Sequence, residues 1–565
     1  MSTTTGLSTV RRVIVFVLLF AFVTLAAAGL SGLLGRLFDG LLEVLPGDTG
    51  RLAGSDVSGL AQSLAFTLIA GPFAAVLWWL LWRRMAGDER SALAWGLYVA
   101  AMSTVAVITS TTALLGAAAA LVGGDRQPHG LATALVWAAV WVWHRWMSGH
   151  RDKGPVRLRS VAPVLGSVFG LLIGAGGAIT AIGSVFGLAV TSVLPLLDGG
   201  AFWWRQPVVG LVWCVGGASV WWWHLNRERV ATMRGGFADV ALVCVGIGAA
   251  LVTTLVGAGV TLYVLLRLCF DRSEPLGAIL DPLGPYLAAA LVGALVWRYH
   301  GRLAARRSAA TRGATTLVTS GLALASAATG IGVVVNSLLA VLTDPLVGSD
   351  TRTLLLGGLS ALVVGGPLWW AAWRPLAPQV RDRTSQGGAG NGRRVYLVLV
   401  FGLSAVVALI TLLVIGFRLF EFGLGGTADR SVLEGVRAPL GLLVATGLVA
   451  GYHFAVWRRD RSLLVESEGR RPGIGRVILI TTAGTDPEPL RQAVTESTGA
   501  AVTVWPRAGT GHGTEAGHGT EAGHGAGAEA VNATAVAAAL AGVTGKRVLV
   551  VTGPGSRVEV IPLGD

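Results

Sequence analysis

Trp221-Trp-Trp-His224-Leu-Asn-Arg227 ends an apolar segment with three aromatic rings, a histidine and then an arginine. The ending returns as Trp141-Val-Trp-His144 and Trp297-Arg-Tyr-His300. Tryptophan takes the histidine's place in Trp79-Leu-Leu-Trp82 and Trp370-Ala-Ala-Trp373, and a variant, Tyr452-His453, precedes Trp457-Arg-Arg459. Successive fourth positions lie 62, 80, 76, 73 and 80 residues apart. A recurrence this long, punctuating apolar stretches, specifies a multi-span membrane architecture and carries no chemistry by itself.

Composition points the same way. Of 565 residues, 53% are hydrophobic and 13% charged, and the mean hydropathy is +0.66. Charged residues make up about a quarter of an ordinary soluble domain, so lipid is the solvent for most of this chain. A net charge of +13 would suggest nucleic acid in a soluble protein. Here the basic residues sit in short runs between apolar segments, where they set membrane orientation. The lipid bilayer is the expected partner and nucleic acid is not. Apart from Lys153 and Lys546 the positive charge is all arginine, a bias that also favours bidentate contact with lipid phosphate. Cys214, Cys244 and Cys269 stand at no metal or redox spacing and read as small buried hydrophobes. Arg11-Arg12 followed by Val13 to Ala28 looks like a secretory signal, but the apolar run continues through Leu34. That is too long for a signal core, so it reads as a first span and uncleaved anchor.

Segments of spanning length fall at 12–38, 60–82, 91–122, 130–147, 160–196, 203–224, 236–270, 284–300, 313–343, 353–373, 394–420 and 437–457. Longer and shorter members alternate, so the unit is a helical hairpin. Near the far end of the longer member, Arg36 precedes Asp39, Arg267 precedes Asp271 and Arg418 precedes Glu421 at helical spacing, while Asp198 and Asp344 hold the equivalent place in two other units. Such pairs are expected at the interface, fixing helix depth. Connections 83–90, 145–159, 227–234, 298–312 and 374–394 together carry +16, and the other six are net negative. The positive-inside tendency then puts those five connections and both termini in the cytoplasm, and makes the hairpins parallel copies. Val164 to Leu194 would be about 47 Å long as a helix, against about 30 Å of hydrocarbon. Its glycines, from Gly166 and Gly170 through Gly176-Gly177 to Gly183 and Gly187, imply either close helix packing or a bend beside a cavity.

Beyond Arg461 the composition becomes that of a soluble domain. Strand, helix and strand patterns over 476–505 are followed by the hexads at Gly511 and Gly517, then by a helix at 533–541 and strands at 547–552 and 558–562. Glycine, histidine and threonine hexads cannot build a core, so a disordered loop is expected over 507–531. Its His512, His518 and His524 read as products of repeat expansion rather than as a metal site.

Chemistry is hard to find. His144, His224, His300 and His453 hold equivalent places and invite a metal or haem reading. An amphipathic belt at the water boundary accounts better for the tryptophans that replace two of them. Ionisable groups near mid-membrane, the usual mark of coupled transport, are nearly absent. Nucleophile, metalloprotease and phosphate-loop signatures are missing, and Thr481-Thr-Ala-Gly484-Thr485 is only an ordinary strand-to-helix turn. No catalytic residue, metal site or cofactor is expected.

With these helix ends in view, the chain resembles bacterial membrane proteins built from tandem copies of a four-helix domain of unknown function. The likeness rests on the tryptophan-histidine ends and the restarts that follow them, Asp88-Glu-Arg90-Ser-Ala-Leu93 leading to Leu97-Tyr98, and Arg393-Arg394-Val-Tyr396-Leu. It covers residues 10–460 as three four-helix copies, and it implies an architecture without an activity.

The expected fold is an all-α polytopic membrane bundle of about 12 transmembrane helices in six parallel hairpins, with a small C-terminal α/β cytoplasmic domain. Four-helix blocks are expected at 1–159, 160–311 and 312–460, a linker at 461–473 and the α/β domain at 474–565. The expected location is the inner (plasma) membrane of a bacterium. The function favoured is a non-enzymatic scaffold or sensor whose cytoplasmic module binds a protein partner. Transport of a neutral or lipidic solute is the alternative, and a lipid-modifying membrane enzyme comes third.

Overall fold

The computed structural model describes residues 3–43, 57–85, 90–193, 202–342, 351–374, 389–425, 432–469, 474–481, 486–507, 532–541, 543, 547–553 and 557–563. The chain divides into two compact units, Met1–Phe454 and Ala455–Asp565.

In lipid every backbone N–H and C=O must be bonded within the segment, so the apolar stretches have little choice but to be helical. In chain order they form α1 (Thr3–Glu43), α2 (Val57–Ala65), α3 (Gly71–Arg84), α4 (Leu93–Gly123), α5 (Pro128–Gly149), α6 (Val161–Val193) and α7 (Arg205–Trp222). There follow α8 (Gly236–Ala241), α9 (Ala250–Phe270), α10 (Leu276–Leu280), α11 (Leu283–Ala305), α12 (Ala309–Leu342), α13 (Thr351–Trp373), α14 (Ala389–Gly425) and α15 (Val432–Gly469). π-Helical turns at Phe66–Ala70 and Leu242–Ala249 fuse α2 to α3 and α8 to α9 into continuous rods, and a third, Trp223–Arg227, ends α7.

Among the described residues, 11 helical rods are long and apolar enough to cross a membrane. The twelfth segment read from the sequence, α5, is a helix of 22 residues but lies outside that group. Its four tryptophans and two histidines lower its mean hydropathy without shortening it. Outward-facing side chains are apolar in a way no soluble domain tolerates: Leu295 and Leu403 are each 69% exposed and Phe420 73%. The chain is an integral membrane protein.

Consecutive rods pack side by side: α1 on α2–α3, α4 on α5, α6 on α7, α9 on α11, and α12 on α13. Neighbouring pairs join in chain order, α1 on α5, α4 on α7, α6 on α11, α9 on α13 and α12 on α14. α14 and α15 meet through Phe401 with Phe454 and Tyr396 with His453.

Glycine sets the closest of these approaches. A Cβ on Gly177 would overlap the Cys214 backbone nitrogen and one on Gly170 that of Trp221, while one on Gly174 would stand 2.9 Å from Ala218 N. α6 continues as one α-helix through Gly176-Gly177. Of the two roles open to these glycines, packing against α7 is the one observed.

The second unit is a four-stranded sheet in the order β2-β1-β3-β4, with β1 (Arg476–Thr481), β2 (Ala501–Pro506), β3 (Arg547–Thr552) and β4 (Val558–Leu563). β1 lies parallel to both β2 and β3, and β4 closes antiparallel on β3. Alternation puts Val477, Leu479, Val548 and Val550 on one face, all fully buried beneath α16 (Glu488–Thr498) and α17 (Ala533–Ala539) through Leu490, Val494, Val536 and Leu540. The Asp486 carboxylate accepts the Glu488 N–H at 3.1 Å and the Asn532 side chain that of Thr534 at 3.2 Å, so both helices begin with a capped donor. This is the order of elements read from the sequence. One boundary changes: α15 runs to Gly469, so most of the stretch expected as linker is helix. Residues 508–531, with the histidine hexads, lie outside the described residues.

These contacts generate a paired expectation. Gly177→Val should lower the melting temperature in detergent, at an overpacking cost of about 1–3 kcal/mol. Gly176→Ala, one residue away with nothing within 4 Å, should leave the melting temperature unchanged or raise it through a stability gain of up to about 1 kcal/mol. Equal responses from the two variants would contradict the packing described.

Candidate functional site

The four histidines mark where helices meet their partners, and they are not a water-boundary belt. His144, His224, His300 and His453 are 2%, 3%, 5% and 0% exposed. A belt residue turns its polar tip to water. Three of these turn Nδ1 back on their own helix, donating to Val140 O at 2.8 Å, Val296 O at 2.9 Å and Val449 O at 2.8 Å respectively. Interior room explains the burial. A Cβ on Gly166 would overlap the His224 ring, and one on Gly246 would lie 2.8 Å from His300 Cδ2. Where the facing helix carries tyrosine, the ring packs on it instead. Tyr98 Oη and His144 Nε2 are 3.0 Å apart, and Tyr396 stacks edge-on to His453 with centroids at 5.9 Å. The restart tyrosines of the sequence motif are therefore the histidines' partners.

His224 departs from the pattern, and a site is built around the departure. Its Nδ1 donates not to a carbonyl but to the Glu228 carboxylate, at 2.7 Å, and Arg145 of α5 pairs with the other oxygen of that carboxylate. Burial pushes the Glu228 carboxyl up, but the hydrogen bond from His224 and the charge of Arg145 outweigh it and hold the group below the ordinary carboxyl range. The cluster borders a cavity of about 290 Å³ whose walls include Arg145, Arg159, Arg227, Arg229 and Ser103. No carboxylate pairs with Arg159, Arg227 or Arg229 among the described residues.

Backbone geometry singles out the same place. Leu158 (φ 61°) and Arg229 (φ 60°) are the only described residues other than glycine in the left-handed region, and both line this cavity. Each conformation costs about 1–2 kcal/mol and persists where surroundings impose it. Around Arg229 the imposition is visible. Thr232 and Met233 donate backbone N–H groups to Arg229 O at 2.9 and 3.1 Å. The buried Arg307 donates to Met233 O, to Val230 O at 3.2 Å and to Ala231 O at 3.0 Å. The π turn Trp223–Arg227 presents His224 and Arg227 at the edge of the same cavity.

Sequence reading treated Glu228, Arg145, Arg159 and Arg307 as charges in connections and missed the site. A usable signal was present in the i, i+4 pair His224 and Glu228, the one histidine ending followed at that spacing by a carboxylate. Other expectations need correction. Asp39 pairs with His129 at 3.0 Å, while Arg36 donates to Ser63 Oγ at 3.2 Å. Arg267 and Asp271 do pair, at 3.5 Å, both buried, and the half-exposed Glu274 joins Arg267 at 3.4 Å. Arg418 and Glu421 also pair, 3.1 Å apart and half exposed. Asp198 and Asp344 lie outside the described residues. Cys244 and Cys269 are exposed on the outside of the bundle and Cys214 is half-buried, because in lipid an apolar residue need not turn inward.

Comparison with known proteins adds one likeness. A domain of unknown function (DUF5671) matches residues 12–129 and 314–448. These stretches fall in the first and last of the three four-helix blocks expected from the sequence, and residues 130–313 between them are unmatched. No curated protein matches the chain, and neither does any solved structure.

The depressed Glu228 carboxyl has a consequence for stability. The stabilisation it brings is present above the unfolded value, about 4.3, and is lost as pH falls through the lower folded value. Melting temperature should therefore fall on acidification from about pH 5 more steeply in the wild type than in Glu228→Gln. Parallel acid limbs would show that the carboxylate is not held as described.

Proposed function

We propose that the protein is a non-enzymatic membrane sensor or scaffold whose ligand is an anion, bound at the arginine-bearing end of the bundle. The observation that carries this is the cavity beside His224 and Glu228, where four arginines face one carboxylate that is already paired. Arginines that merely orient a membrane protein need no fixed backbone. Two strained residues at this cavity, one of them on a turn clamped by Arg307, support a built binding site.

The remaining architecture is part of the same proposal. If α5 crosses the bilayer, all five basic connections fall on one side; if it does not, they are split between the two. Twenty-two residues reach about 33 Å, enough to cross. We take twelve crossings in six parallel hairpins, grouped as 1–159, 160–311 and 312–460. Both termini, the basic connections and the α/β unit then face the cytoplasm at the inner membrane. The α/β unit, 474–565, is the output, through a protein partner. Transport of a neutral or lipidic solute draws support from a separate cavity of about 910 Å³ between α9, α12 and α13, walled by aliphatic side chains with Ser326, Thr329 and Ser360.

Two measurements test these points. Inorganic phosphate should raise the melting temperature of the full-length protein in uncharged detergent, by about 2.7 kcal/mol of stabilisation at a hundredfold excess over Kd and rising with the logarithm of its concentration beyond. The double variant Arg227→Gln/Arg229→Gln should lose most of that effect, and an unresponsive wild type overturns the anion reading. For orientation, cysteines placed at Asp125 and Asp152 in a background free of the native three should respond oppositely to an impermeant thiol reagent on intact cells. Asp125→Cys is expected to label and Asp152→Cys to be protected, and the reverse would invert the topology.

A further inference from the structure

The basic cavity does not end at its arginines. Val107, Trp141 and His224 are walls both of it and of a second cavity, about 810 Å³, that runs on between α4, α5 and α7. The character of the lining changes at that shared boundary. On one side stand Arg145, Arg159, Arg227 and Arg229, and on the other Leu114, Leu115, Leu135, Ala138 and Val220. Of the three hydroxyls in the second lining, Ser110 and Ser219 are spent on their own helices, donating to Val107 O at 3.3 Å and Val215 O at 2.7 Å, and Thr111 is the third. Aliphatic and aromatic side chains make up most of the rest, so the groove is predominantly apolar. Trp141 and Trp223 meet edge to face at the junction, centroids 6.4 Å apart, as amphipathic rings do where hydrocarbon gives way to headgroups.

The dimensions fit one kind of occupant. From Trp141 to Leu131 along α5 the groove follows ten residues, about 15 Å at 1.5 Å per residue. That is the hydrocarbon depth of a single leaflet, half of about 30 Å. A free anion would fill the polar cavity and leave the groove empty, whereas a wholly apolar solute would leave the arginines unmatched. Planar guanidinium groups suit phosphate oxygens, which they can contact bidentately.

We infer that the cavity and groove together form one site for an anionic phospholipid of the arginine-bearing leaflet. Its phosphate headgroup lies among Arg145, Arg159, Arg227 and Arg229, and an acyl chain lies along α4, α5 and α7. This rests on the anion-binding reading and names its ligand class. Glu228, itself a wall of the cavity, keeps Arg145 in position, and its own charge is taken up by His224 and Arg145. Arg307, which lines neither compartment, acts as a positioning residue by holding the turn that carries Arg229.

The test uses the full-length protein in phosphatidylcholine nanodiscs doped with phosphatidylglycerol, with lipid retained on the protein measured by native mass spectrometry. Inorganic phosphate binding is followed in parallel by thermal shift. Phosphatidylglycerol should be retained about tenfold more tightly than phosphatidylcholine, a difference of about 1.4 kcal/mol. Arg227→Gln/Arg229→Gln should abolish that preference and weaken phosphate binding with it. Ala138→Phe, which fills the groove, should cost about tenfold in lipid retention and leave the phosphate shift intact. Should that variant not fold, Val220→Phe narrows the same groove from α7. Phosphate binding without lipid preference overturns the lipid site and spares the anion reading; absence of both removes the two together. A phosphatidylglycerol preference that ignores the groove variants means general attraction of a basic surface to an anionic membrane, and overturns the proposal.

Discussion

Close backbone contact between helices, made possible by glycine, is what the membrane unit depends on. In water, helices associate because burying their apolar faces is favourable. In lipid that drive is absent, since the tails are as apolar as leucine, and helices gain from each other chiefly by van der Waals contact at short range. α6 and α7 achieve that range along a line from Gly170 and Gly174 to Gly177, matched from the other side by Gly210 and Gly217. The same device recurs where Gly257 meets Ala290 and where Gly330 meets Leu362. These pairs of rods are held by backbone shape, which leaves the larger side chains free to face the lipid.

Glycine on one helix also makes the space that a polar ring fills on the next. His224 sits against Gly166 and His300 against Gly246, while His144 and His453 meet tyrosines instead. A buried imidazole must be hydrogen-bonded or it destabilises the packing. Three of the four meet that demand locally through the carbonyl four residues back. At His224 the π turn alters the end of the helix and Glu228 takes over as partner. That single exchange brings in a carboxylate, the carboxylate draws Arg145 across from α5, and the pocket follows. The functional candidate is thus a local variation on a structural joint.

The α/β unit obeys the other solvent's rules. Its strands alternate, burying Val477, Leu479, Val548 and Val550 beneath two helices, and its helices begin with side-chain caps. Each unit's sequence pattern therefore reports the medium it folds in: glycine spacing and uninterrupted apolar runs in one, period-two alternation in the other.

Much of this was legible in the chain itself. Lipid-crossing helices, their near-constant spacing, the endings at His144, His224, His300 and His453, and the order of strands after residue 474 all follow from local composition and periodicity, which act over a few turns of helix. What the histidines touch did not follow. Whether an imidazole at a helix end faces water, a glycine notch or a tyrosine depends on a residue 46 to 58 positions away on another helix, and no local pattern encodes that meeting. For the same reason Arg145, Arg159, Glu228 and Arg307 look like topology signals in the sequence. Only the packing of α4 through α7 sets Arg145, Arg159 and Glu228 around one cavity, with Arg307 holding the turn beside it, because electrostatic and steric complementarity act through space while hydropathy is read along the chain.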